Sequence, residues 1–142
     1  MKIALKVLIG LSVVSVVACG GGGGGGGGAP VPTADATPPT IGVIAVQPEL
    51  IAPDTQATIA VSISDDRSGV AMAQATITYP DNTQAGASLS LAQGVYQGSF
   101  QARWDGTAGQ IRVRIRAMDQ AGNAAEREIS VNAIGTPPPA PF

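Results

Sequence analysis

The chain has 142 residues and a formal charge of −2; 44% of it is apolar, 13% charged and 4% aromatic, with 19 Gly, 11 Pro, one Cys and no His. That length allows one domain of ordinary size and no second, and the missing histidine removes the commonest general acid/base, the Ser-His-Asp triad and most zinc sites. One cysteine cannot make an internal disulfide or a multi-cysteine metal site, and the acidic balance is the opposite of a nucleic-acid binder's footprint. Neither an enzyme nor a nucleic-acid partner is expected.

Residues 1–6 carry Lys2 and Lys6, and residues 7–18 form a run interrupted only by Gly10, Ser12 and Ser15. A basic start followed by a short apolar stretch is the form of a secretory signal peptide. The stretch is shorter than the about 20 residues that a spanning helix needs. Its end, Val16-Val17-Ala18-Cys19, resembles the lipobox of bacterial lipoproteins. That resemblance implies cleavage after residue 18, acylation of Cys19, and a lipid bilayer as partner. Each buried CH₂ adds about 0.8 kcal/mol, so two or three acyl chains anchor firmly where one would be marginal. Without Lys2 and Lys6 the chain keeps six Arg against ten acids, a charge of −4. Gly20 stands where Asp signals inner-membrane retention in enterobacterial members, which by the same resemblance implies the outer membrane.

Residues 20–28 are nine consecutive glycines, and Pro30, Pro32, Pro38 and Pro39 follow. Such a run has maximal backbone freedom and nothing to bury, so residues 19–39 are expected to be a disordered linker stiffening toward polyproline II. A tether of about 20 residues reaches roughly 22–27 Å as a flexible coil. Fully extended it reaches about 70 Å. A phosphate-cradling role for the glycines fails, because no strand precedes them and no helix follows.

Over residues 40–134 the hydrophobic period is two. Ala57, Ile59, Val61 and Ile63 alternate with polar or small residues; Ile111, Val113, Ile115 and Ala117 alternate with Arg112, Arg114 and Arg116; Ile129, Val131 and Ala133 alternate with Glu128, Ser130 and Asn132. Weaker strands are expected at 41–47, 70–79, 85–91 and 95–101. Turn-forming clusters separate them at 52–54, 65–69, 80–82, 93–94, 105–109 and 119–123. Seven short strands in about 95 residues predict an all-β fold, a seven-stranded antiparallel immunoglobulin-like β-sandwich. Its expected core is Val61, Ile63, Ile77, Leu89, Tyr96, Phe100, Ile111, Val113, Ile115, Ile129 and Val131. Residues 135–142, with three successive prolines, are expected to be a disordered tail.

Ser64-Asp65-Asp66-Arg67-Ser68-Gly69-Val70, Gly94-Val95-Tyr96-Gln97-Gly98-Ser99-Phe100 and Ala117-Met118-Asp119-Gln120-Ala121-Gly122-Asn123 resemble a bacterial immunoglobulin-like, fibronectin III-like module of secreted and surface proteins. The resemblance covers residues 38–134. It implies the fold and leaves the ligand open, since such modules serve adhesins, accessory domains and spacers.

Three groups of residues are candidate sites. Asp65, Asp66, Asp119 and Asn123 fall on loops that this topology brings to one end, and converging oxygens are what calcium requires. Turn chemistry is the competing reading, with Asp119 accepting backbone N–H groups and Gly122 and Asn123 left-handed. Arg112, Arg114 and Arg116 lie on one face, roughly 6–7 Å apart in succession. They could hold a polyanion, or Arg116 could pair with Glu126 and Arg114 with Glu128 across a hairpin. Trp104, beside Arg103 and Asp105, could stack on a sugar or anchor a protein, or pack over the end of the core. Together these predict a non-catalytic envelope lipoprotein that binds a protein or glycan. The alternatives are a structural accessory subunit of an envelope complex and a calcium-stabilised surface module.

Overall fold

The structure, a computed structural model, describes residues 33–136. The signal segment, Cys19, the glycine run and residues 137–142 lie outside them. The described residues hold nine strands and no helix: β1 (Thr40–Gln47), β2 (Leu50–Ile51), β3 (Gln56–Ser64), β4 (Val70–Thr78), β5 (Gln84–Ser88), β6 (Ser90–Ala92), β7 (Val95–Gln101), β8 (Gly109–Asp119) and β9 (Ala124–Ala133). One sheet runs β1-β3-β7-β6 and the other β2-β9-β8-β4-β5. Every pairing is antiparallel except the short β2–β9 contact, which is parallel.

The period of two becomes the inside and outside of these sheets. On β8, Ile111, Val113, Ile115 and Ala117 are buried while Arg112, Arg114 and Arg116 are exposed. On β3, Ala57, Ile59 and Val61 point inward, opposite Ile77 and the alanines Ala73 and Ala75 of β4. Each fully buried Ile or Val contributes about 1.5–3 kcal/mol. Ile63, Tyr96, Ile129 and Val131, expected in the core, are only partly buried. They lie near strand ends or on β9. Val46, Ile51, Ile59 and Tyr79 are buried instead.

Nine strands replace the seven expected. The single strand expected over 85–91 is broken at Leu89. Its N–H still donates to Ala73 O and closes the β4 ladder, its side chain is buried, and Ser90 then pairs with Gln97 in the other sheet. The crossing requires Gly98: a Cβ there would lie 2.7 Å from both Leu89 Cδ2 and Ser88 O. The other addition, β2, pairs through Leu50↔Asn132 and Ile51↔Ala133, too short to show a period. A register shift lies between Ile41 and Ile44 on β1. Arg127 reaches across from β9 and donates Nη1 to Ile41 O and Gly42 O.

Candidate functional site

The strands give the domain two poles. The β3–β4 loop and the β8–β9 turn share one, because Gln120 N donates to Gly69 O. The β4–β5 turn and the β7–β8 loop share the other, where Asp105 N donates to Asp81 Oδ2.

At the first pole Asp119 is 1% exposed. Its Oδ1 accepts Asn123 N and its Oδ2 accepts Asn123 Nδ2, both at 2.8 Å. Burial, the largest single influence, would raise this carboxyl, but the hydrogen bonds from Asn123, with backbone donors of Gly122 and Ala121, together outweigh it and hold the group below its ordinary value. Gly122 takes the left-handed conformation (φ 95°) that the turn needs. Asp65 does the same work in the β3–β4 loop: its Oδ2 accepts Arg67 N, Ser68 Oγ and Gly69 N. Its Oδ1 is buried with no hydrogen-bond partner.

The four residues expected to converge do so only in part. Asp65 and Asp66 have carboxylate oxygens within 4.8 Å of one another, and the third member of that group is Asp35, not Asp119. Asp35 belongs to the segment expected to be linker. Its Oδ1 accepts Thr37 N and its Oδ2 accepts Ser68 N. The bond from Thr37, with that from Ser68, holds its carboxyl below the usual carboxylate value. Asn123 Nδ2 also donates to Asp35 O at 3.2 Å, and Pro39 is buried. The chain just before β1 is therefore fastened to this pole. Nothing in the sequence near Asp35 signals it, because its partners lie 33 and 88 residues away.

The arginine ladder has the register expected of it. Arg116 stands opposite Glu126, Arg114 opposite Glu128, and Arg112 opposite Ser130. Arg114 Nε lies 3.2 Å from Glu128 and Arg116 Nε 3.8 Å from Glu126, all four side chains well exposed. Exposed pairs of this kind contribute about 0.2–1 kcal/mol each. Arg112, facing a serine, is the member without an opposed acid in that register.

At the second pole Trp104 stacks on Tyr79, with ring centroids 5.6 Å apart and planes 15° apart. Trp104 Nε1 donates to Thr107 O and Tyr79 OH to Gln101 O. Burial, the largest influence, pushes the Tyr79 phenol up and keeps it a donor. Thr136 N donates to Gly106 O, so the C-terminal end of the described chain is fastened at this pole.

No protein-family model matches the sequence, and no curated protein matches it. Among solved structures, a DUF4785 family protein from Legionella pneumophila is similar, with a TM-score of 0.48 and 12% identity over 64% of this chain. The match spans 28% of that protein.

Proposed function

We propose that this is a non-catalytic lipoprotein of the bacterial envelope, anchored through acylated Cys19, whose immunoglobulin-like module binds a protein or glycan at the pole carrying Trp104. The observation that supports it most is the attachment of Asp35 to Ser68 and Asn123. It makes the segment leading back to Cys19 leave from one pole, while the Trp104 loop lies at the other. On the lipobox reading the Trp104 pole is the one remote from the point where the linker joins the domain. β8, whose eleven residues join the two poles, sets them about 33 Å apart. The strand order supports the immunoglobulin-like reading, since β1 and β2 border different sheets and the chain switches between them at Pro48-Glu49.

Two measurements test the proposal. An alkynyl palmitate analogue fed to producing cells labels the chain, and Cys19→Ala abolishes the label; a variant still labelled would overturn the anchor. The second uses an array of envelope glycans and surface proteins. Trp104→Ala, checked for folding by its melting curve, is expected to lose the bound spots, whereas a structural accessory subunit docking by a sheet edge would keep them.

A further inference from the structure

An edge strand carries unpaired backbone N–H and C=O groups, and proteins commonly guard such edges with bulges, charges or brevity. Three flanks of this sandwich are guarded. On β1 the register shifts between Ile41 and Ile44, and Arg127 is fastened across it. β2 has two residues, and the stretch of β9 beyond it carries Glu126, Arg127 and Glu128. β6 has three residues. β5 differs: five residues, Gln84-Ala85-Gly86-Ala87-Ser88, with no charge, no proline and no register shift. It lies in a stretch, residues 82–102, without one charged side chain. We propose that β5 is a dimerisation edge, at which a second copy of this chain adds its own β5 antiparallel about Gly86 and joins the two five-stranded sheets.

The register carries the proposal. Tyr79 N donates to Thr83 O and Leu89 N to Ala73 O, so the odd-numbered residues of this ladder are its hydrogen-bonded pairs. Antiparallel alternation then turns the N–H and C=O of Gln84, Gly86 and Ser88 outward. The sequence is nearly palindromic about Gly86. Setting Gly86 opposite Gly86 of the partner subunit sets Gln84 opposite Ser88 of the partner subunit, and the reverse. All three outward residues thereby fall on hydrogen-bonding positions, each pair exchanging two bonds, as a two-fold interface requires. On the inner face the neighbours are the small Ala85 and Ala87.

Gly86 is not demanded by the packing of its own subunit. A Cβ there meets only Ala75 O, at 4.0 Å, and its φ is not positive. A glycine inside a strand marks a place where another backbone comes close. Charge agrees, since no like charges from residues 82–102 face each other across the axis. Leu91 of the neighbouring β6, 61% exposed, adds apolar surface on the same flank.

Two differently tagged full-length copies, co-expressed and solubilised in mild detergent, test this by capture on one tag and detection of the other. The two copies are expected to co-purify. Gly86→Lys, which places like charges opposite each other on the axis, reduces the captured partner by about tenfold. Asn132→Lys, on the opposite flank, leaves it unchanged. Melting curves matching the parent's show that Gly86→Lys folds. A photo-crosslinking amino acid at position 84 gives an adduct of twice the chain mass. Failure to co-purify, equal capture with Gly86→Lys, or an adduct only to a different protein overturns the proposal.

Discussion

Asp119 shows how one turn residue couples fold to pH. Against the burial that would raise it, its carboxyl titrates below the unfolded value because Asn123, Gly122 and Ala121 supply donors to the ionised form. A depressed folded-state pKa contributes stability that is complete above the unfolded value, about 3.9, and is lost as pH falls through the folded value. Asp35, lowered by Thr37 and Ser68, acts in the same direction. Melting temperatures measured from pH 7 to pH 2 should fall below about pH 4. Asp119→Asn should flatten that fall and, at pH 7, lower the melting temperature more than the same change at exposed Asp66. An unchanged acid limb would show that Asp119 does not carry the pH dependence. The loop duty of Asp119 was legible in the sequence, because a D-x-A-G-N turn is local. In the neighbouring loop the capping residue is Asp65. Asp35 was illegible: a carboxylate among Gly and Pro reveals nothing of partners on two distant loops. Since Asp35 and Asp65 already accept donors from their own chain, calcium in place of chelator should shift the melting temperature by less than about one degree. A rise of several degrees would assign the Asp35, Asp65 and Asp66 carboxylates to an ion.

At the level of elements, the longest alternating runs were the most legible. β8 and β9 were readable down to which Arg faces which Glu, because a hairpin with a tight turn has one register that buries Ile111, Val113 and Ile115. A double-mutant cycle on Arg114 and Glu128 should therefore return about 0.2–1 kcal/mol, diminishing in high salt. Ile115→Ala, on the opposite face of the same strand, should cost about 2–5 kcal/mol in denaturant unfolding. If the ion pair cost as much as the isoleucine, the outer face would be doing more than solvating the sheet. The break at Leu89 was not legible. Alternation continues through it, and what divides β5 from β6 is the change of sheet that Gly98 permits. Strand count thus depended on tertiary approach, which periodicity does not contain. The two-residue β2 escaped for a different reason: its hydrogen bonds come from β9, with too few residues to carry a pattern.

Across the whole molecule, the two ends of the described chain are fastened at opposite poles, Asp35 by Ser68 and Asn123, Thr136 by Gly106. The fastenings share no partner, and the core strands between them are held by Ile59, Ile77 and Ile115, all fully buried. Disturbing one pole should therefore not be felt at the other. Asp35→Ala removes the acceptor for Ser68 N, so the Ser68 amide should lose protection in hydrogen exchange. Trp104 fluorescence should stay as it is, because the Tyr79 stack and the bond to Thr107 O are untouched. Trp104→Ala should cost about 1–3 kcal/mol through the lost stack and half-buried ring, and should leave Ser68 protection unchanged. The melting-temperature losses of the two single variants should add in the double variant to within roughly 2–4 °C, as for sites without shared partners. A larger discrepancy would mean that the poles communicate through β8. A ligand held at the Trp104 pole could then alter how the Asp35 segment is seated, and the module would be a transmitter instead of a rigid spacer.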